Sequence, residues 1–233
     1  MEHRTTILMS QFITHDVKRF VVERPAGFRF EPGQGVELAI DNSDWREEPR
    51  PFTPTSLPDD AVLEFTIKGY PEHEGVTREL HRLQAGDSLL MSEPFGTISY
   101  RGAGTFIAGG AGITPFLSIL RMLHERGELE GNSLIFSNKG PGDIIAEQEL
   151  RHLLGEQAHF LCSQQEDCHC QPGRVDKQLL QNTIEDFSQR FYVCGPPPFV
   201  EAINQALVEL GATPETVVFE RGGWEQTMSV ELQ

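Results

Sequence analysis

Hydrophobic positions along the chain change their rhythm near residue 102. Before that point apolar residues come in short runs broken by polar ones. The run Leu63-Glu64-Phe65-Thr66-Ile67-Lys68 steps apolar, polar, apolar, as a half-buried antiparallel strand does. RTTILMS (4–10), KRFVVER (18–24), GVELAI (35–40), VLEFTIKGY (62–70) and SLLMSE (88–93) share its enrichment in β-branched and aromatic residues. Breaker-rich stretches, PAGFRFEPGQG, LPDD and QAGD, separate them. Five or six short strands with turns this frequent predict a small antiparallel barrel or sandwich. One short helix is predicted over Thr77–Leu83.

Beyond Gly102 short apolar strands take turns with helical periodicity. TFIAG (105–109) reads as a strand. TPFLSILRMLHERG follows as a helix, with Phe116, Ile119, Leu120 and Leu123 on one face and Gly127 as its stop. SLIFSN, HFLCS, RFYVCG and TVVFE are further strands; EQELRHLL, KQLLQNTI and PFVEAINQALVELG are the intervening helices. Strands alternating with helices predict a parallel α/β sheet. The expected organisation is two-domain, an antiparallel β domain over 1–101 and an α/β domain over 102–233.

Composition refines this picture. The 38% hydrophobic and 23% charged content is that of an ordinary globular protein. No apolar run approaches the length of a membrane span, and the opening MEHRTTILMSQF turns polar quickly, so the expectation is a cytoplasmic protein with no membrane span. The net charge of −16, carried by both parts of the chain, argues against nucleic acid. The four cysteines, Cys162, Cys168, Cys170 and Cys194, are too few for a disulfide framework, and none is expected. Their C-x5-C-x-C spacing also fails the plant-type iron–sulfur pattern. Cys168-His169-Cys170 lacks C-x2-C spacing, so no metal site is expected there.

Three stretches carry chemistry. IAGGAGITP (107–115) joins a strand to a helix through Gly109, Gly110 and Gly112, where a parallel sheet binds ligands at its carboxyl edge. The third glycine of G-x-G-x-x-G is missing, and Pro115 suits the first helical turn because it has no N–H to leave unpaired. Backbone N–H groups at such a helix start favour an anion. No acidic residue follows at the spacing a simple NAD fingerprint needs; Lys139 ends the next strand instead, facing either a ribose 2′-phosphate or solvent. RPFTPTS (50–56) sets a permanent cation, an aromatic ring and a hydroxyl along a short strand. Alone it reads as an edge strand with an exposed Arg. YVCGPPPF (192–199) puts Cys194 and Gly195 at the end of a parallel strand, followed by helix-starting prolines. A lone cysteine there is ordinarily a small buried hydrophobe.

Together, in this order, the three stretches resemble the ferredoxin–NADP reductase superfamily of flavoprotein reductases, through nearly the whole chain to about Glu220. RPFTPTS and NKGPGDIIAEQEL are similar to its cytochrome-reductase-like branch, without a fused iron–sulfur domain. The resemblance implies an FAD-binding β-barrel over 1–101 and an NAD(P)-binding α/β domain over 102–233. The flavin motif R-x-[YF]-[ST] falls on Arg50, Pro51, Phe52 and Thr53. It implies that Arg50 pairs with the flavin pyrophosphate, Phe52 stacks on the isoalloxazine, and the Thr53 hydroxyl bonds near flavin N5. G-x-[ST] falls on Gly75-Val76-Thr77, a second pyrophosphate contact, with Lys68, Gly69 and Tyr70 on the preceding strand. G-G-x-G-[IV]-[TA]-P matches Gly109 to Pro115, and C-G-P matches Cys194-Gly195-Pro196. Thr114 would lie near the flavin edge and Cys194 near nicotinamide C4, so Thr53, Thr114 and Cys194 are the expected catalytic positions. Phe219 or Trp224 is a flavin cover or part of a surface tail, and Arg174 is a candidate for the adenosine end.

The resemblance implies an FAD-dependent NAD(P)H oxidoreductase serving a separate electron acceptor. That acceptor is a redox protein (ferredoxin, flavodoxin, cytochrome or oxygenase component) or a small ferric or quinone compound. The acidic surface disfavours an acidic ferredoxin. An electron-transfer subunit of a larger complex and a non-catalytic flavin or nucleotide sensor are the rival readings.

Overall fold

A computed structural model of the 233-residue chain describes residues 1–72, 74–96, 98–164 and 170–219. The first sheet is built from β1 (His3–Phe12), β2 (Val17–Glu23), β3 (Val36–Ile40), β4 (Arg50–Phe52), β5 (Val62–Lys68) and β6 (Ser88–Met91). Its strands run antiparallel in the order β4-β3-β6-β1-β2-β5. Just past β4, Pro54 bridges Phe65 of β5, and Thr55 N–H donates to Glu64 O at 2.7 Å. These bonds join the two outer strands and nearly close the sheet into a barrel, which removes its exposed edges. Alternate residues point inward: Phe20, Val22, Val36, Leu38, Leu63, Phe65 and Ile67 form the core with Phe28 and Met91. The short helix α1 (Val76–Leu80) plugs this core with Val76 and Leu80.

The second sheet contains β7 (Gly104–Gly109), β8 (Ser133–Asn138), β9 (Ala158–Cys162), β10 (Gln171–Pro172), β11 (Arg190–Cys194) and β12 (Val217–Phe219). All its strands are parallel, in the order β10-β9-β8-β7-β11-β12. α2 (Thr114–Arg126) follows β7, α3 (Glu147–Leu154) follows β8, α4 (Lys177–Thr183) follows β10 and α5 (Pro197–Glu209) follows β11. β7 to β9 are buried on both faces and read as continuous apolar runs, as central parallel strands do. From β7 the chain builds outward through β8, β9 and β10, then returns to the other side of β7 as β11. The strand order therefore reverses between β7 and β11.

The chain resolves into two compact units, Met1–Gly96 with Thr114–Met122, and Thr97–Ile113 with Leu123–Gln233. The first turns of α2 group with the first unit, where Ser118 Oγ donates to Ser56 O at 2.9 Å and Arg121 Nη1 donates to Thr55 O. Arg121 also reaches Glu64 Oε1 at 2.9 Å.

One expectation about the cysteines is corrected. Cys162 and Cys170 form a disulfide, with Cα atoms 6.0 Å apart. Parallel pairing of β10 with β9 sets Pro172 beside Cys162, and this register brings together two cysteines eight residues apart. Cys168, His169 and Trp224 lie outside the described residues.

Candidate functional site

In the second unit, the carboxyl ends of β7 and β11 lie side by side, with Ala108 opposite Cys194. The stretch Gly110–Ile113 leaves β7 as a single 3-10 turn and runs straight into α2, with Pro115 in the first helical turn. Gly110 takes φ +53°, which turns the backbone sharply off the strand. Gly112 lies against the end of β11: a Cβ there would stand 2.3 Å from Cys194 O and 2.6 Å from Gly195 N. The turn and the Cys194-Gly195 segment are thus packed backbone to backbone. Cys194 is buried, and Pro196 precedes α5. The ligand crevice of an open parallel sheet lies at such a reversal of strand order.

In the first unit, RPF (50–52) forms β4, paired to β3 through Leu38 opposite Arg50 and Val36 opposite Phe52. Arg50 is half-buried. Among the described residues its bonds run through Nη1, to Pro49 O at 2.9 Å and Glu48 Oε2 at 3.5 Å. Nε and Nη2 are left to address an anion. Phe52 packs partly against the barrel core, and Pro51 and Thr53 are half-buried beside it. The motif occupies the seam at which the barrel closes.

The other expected flavin residues are distributed unevenly. Gly75 is the extended N-cap of α1, with Val76 buried and Thr77 half-buried in its first turn. Tyr70 is exposed. Lys68, at the end of β5, holds Asp16 Oδ2 at 2.7 Å. Burial works against the Asp16 charge, but bonding to the Lys68 ammonium outweighs it and keeps the carboxyl below its ordinary range. Lys68 is therefore anchored within the barrel wall.

Residues 106–205 match the oxidoreductase NAD-binding domain family, and residues 4–100 match the oxidoreductase FAD-binding domain family. NADH-cytochrome b5 reductase 1 of Aspergillus oryzae is 31% identical over 224 residues, covering 86% of this chain and 76% of that protein. The ferredoxin–NAD(P)(+) reductase component of the naphthalene 1,2-dioxygenase system of Pseudomonas putida is 27% identical over 221 residues, covering 91% of this chain and 66% of that protein. A ferredoxin NADP+ reductase from Neisseria gonorrhoeae, solved with FAD and NADP, superposes with TM-score 0.82 at 22% identity, covering 94% of this chain and 97% of its own.

The chain belongs to the ferredoxin–NADP reductase superfamily. Its first domain is the superfamily's FAD-binding barrel and its second the NAD-binding sheet. Both fit their cofactors on local grounds: Arg50 offers unused donors beside a half-buried ring, and Gly110 turns with nothing within 4 Å of where a Cβ would stand. A separate cavity of about 730 Å³ opens at the other, amino edge of the parallel sheet, lined by Thr105, Ser133, His159 and Gln189. It lies away from the glycine turn. Sequence reasoning missed Asp16, Glu64 and Arg121. No local signal marks them, because each acts through partners distant in the chain.

Proposed function

We propose that this protein is a reductase that draws reducing equivalents from NAD(P)H through FAD and delivers them to a separate acceptor. The observation that carries this reading is the convergence of the Gly109–Gly112 turn and Cys194-Gly195 at the reversal of strand order. FAD, when bound, supplies the conversion of a two-electron donor into single-electron steps. The chain's residues supply binding and orientation. Arg50 offers its guanidinium fork to the flavin pyrophosphate, and Gly75-Val76-Thr77 adds a contact to the same group. Phe52, through its ring, and Thr53, through its hydroxyl, would hold the flavin ring system. Gly109, Gly110 and Gly112 let backbone approach the coenzyme pyrophosphate. Pro115 fixes the helix start, and Thr114 and Cys194 border the nicotinamide. Lys68 serves by anchoring its strand through Asp16, and exposed Tyr70 would add a contact to the flavin. Holding donor and acceptor atoms in one geometry is the main source of rate in such a transfer.

The acceptor in this reading is a one-electron redox protein. The relatives are a ferredoxin reductase component of a dioxygenase system and a cytochrome b5 reductase. A ferredoxin, a flavodoxin, a cytochrome or an oxygenase component fits that pattern. Among the described residues no helix is long and apolar enough to cross a membrane, and a cytoplasmic setting completes the proposal. The test is anaerobic mixing of the FAD-loaded protein with NADH and, separately, NADPH. Bleaching of the flavin absorbance by at least one coenzyme is expected; no bleaching by either overturns the reading.

A further inference from the structure

The Cys162–Cys170 disulfide lies at the carboxyl edge of the parallel sheet, the edge that carries Gly109–Gly112 and Cys194. β10 is only two residues long, and Pro172 has no N–H to give to a ladder. Gly173 N–H adds one bond, to Cys162 O at 3.0 Å. Pairing with β9, the Gly173 bond and the disulfide therefore join this edge strand to the sheet. Immediately past Cys162, Ser163 N–H donates to Asn138 O at 2.9 Å and Gln164 N–H to Lys139 O at 2.9 Å. The disulfide thus ties β10 to the end of β9, and the Ser163 and Gln164 hydrogen bonds tie the end of β9 to the backbone leaving β8. Exposed Lys139 and Arg174 stand past β8 and β10, two cations in a chain of net charge −16. Asn138, only 5% exposed, keeps a buried Oδ1 with no hydrogen-bond partner among the described residues.

We infer that the Cys162–Cys170 pair is a thiol-operated clamp on coenzyme binding. Oxidised, it fixes β9, β10 and the backbone after β8 where they receive the phosphate-bearing adenosine end of the coenzyme. Reduced, it releases β10 and weakens that binding. The inference rests on the reductase reading above. The switching reaction is dithiol exchange. One thiolate of an external dithiol attacks a sulfur of the bond and forms a mixed disulfide, freeing one cysteine thiol. The second thiol of the dithiol then displaces the other cysteine, so two electrons and two protons pass to the protein and the dithiol leaves as its disulfide.

The FAD-loaded protein is equilibrated in oxidised and reduced dithiothreitol at graded ratios. With four cysteines and one disulfide among the described residues, the expected titration is two thiols in the denatured oxidised protein and four after reduction. The dissociation constants of NADP+ and NAD+ are measured by calorimetry, and KM for NADPH and NADH by turnover. Reduction should raise the dissociation constant and KM of at least one coenzyme by about fivefold or more, the lower end of coupling between linked sites. kcat and flavin content should stay unchanged. Cys170→Ser should bind like reduced wild type and ignore dithiothreitol, whereas Cys168→Ser should retain the response. Four thiols in the fully oxidised sample, or equal affinities in both redox states of wild type, overturns the clamp. Coenzyme binding is read without turnover, so failure of flavin reduction in both states counts separately against the reductase reading.

Discussion

Gly112 is the position where one added methyl group should disturb the coenzyme site most. In Gly112→Ala the new Cβ would lie 2.3 Å from Cys194 O, 2.5 Å from Cys194 C and 2.6 Å from Gly195 N. Carbon and its neighbours separate by about 3.5 Å at rest, so the turn and the end of β11 must part by roughly 1 Å. All three obstacles are backbone atoms, which cannot swing away as a side-chain tip does. Overpacking a tight interior costs about 1–3 kcal/mol, and a backbone clash belongs at the upper end, about 3 kcal/mol. A displacement near 1 Å also costs about 100-fold in rate when it separates reacting groups. Gly110→Ala is the internal comparison. Its φ is +53° and nothing lies within 4 Å of a Cβ there, so only left-handed strain of about 1–2 kcal/mol applies. Denaturant midpoints and anaerobic stopped-flow reduction of the flavin by NADH and NADPH measure both effects. Gly112→Ala should be the less stable variant, keep its FAD, and reduce about 100-fold more slowly. If Gly110→Ala proves the less stable of the two, or Gly112→Ala reduces at the wild-type rate, the close-approach argument is wrong.

Further substitutions separate the two halves of the chemistry. Arg50→Ala should lose FAD on gel filtration, with flavin affinity down about tenfold or more for one lost charge-assisted pair. Cys194→Ala should retain FAD at the wild-type ratio but slow its reduction by coenzyme about tenfold, read in the same stopped-flow trace. Arg121→Met removes one of two cations facing Glu64, Arg121 at 2.9 Å and Arg19 at 3.6 Å, with the Arg121 and Glu64 side chains 23% and 16% exposed. Because Arg19 still faces the carboxylate, the loss should be that of one charge-assisted bond, about 2 kcal/mol in urea unfolding, with Glu64→Gln in the same chain recovering part of it. Burial holds the imidazoles of His81 and His159 below their ordinary range. The unfolded chain therefore takes up protons that the folded one refuses below about pH 6.5, so stability is full above that value and falls as pH drops toward the folded-state values. Urea midpoints should decline from pH 7.5 to 5.5, and a chain carrying His81→Gln and His159→Gln should decline less.

The elements were legible because their signals are local. SLIFSN and EQELRHLL give β8 and α3 to the residue, since period and breakers lie within one window. The carboxyl-edge position of Gly109–Gly112 and Cys194-Gly195 followed from the same alternation of strands and helices. What stayed hidden depends on register between distant segments. Closure of the barrel rests on Pro54 meeting Phe65, and prolines in RPFTPTS point to an edge strand, not a seam. The disulfide rests on a two-residue strand too short to carry any period. Lys68 entered as a cofactor contact through the family resemblance, and its pairing with Asp16, far away in sequence, is set by the fold and carries no local signal. Ser118 and Arg121 sit on a helix whose apolar face was plain, but their polar contacts to Ser56, Thr55 and Glu64 are fixed only by the fold.

The missing third glycine of IAGGAGITP has a physical explanation in this geometry. In the G-x-G-x-x-G turn the last glycine exists to let helix and strand pack closely. Here that close approach is made earlier, by Gly112 against the backbone of Cys194 and Gly195. Gly195 completes it from the other strand, where a Cβ would stand 2.8 Å from Phe199 Cδ1 and 3.2 Å from Gly109 Cα. With the contact already supplied, position 115 need not be small. It must only start a helix, and proline does so with a preset φ and no N–H to leave unpaired. The shift has a chemical consequence. Because the tight contact is made to the Cys194 backbone, the glycine turn and the cysteine are placed by one packing event, and neither can move without the other. In the proposed reductase, a site that holds a nicotinamide in a single pose gains from that coupling, since whatever displaces one wall displaces both.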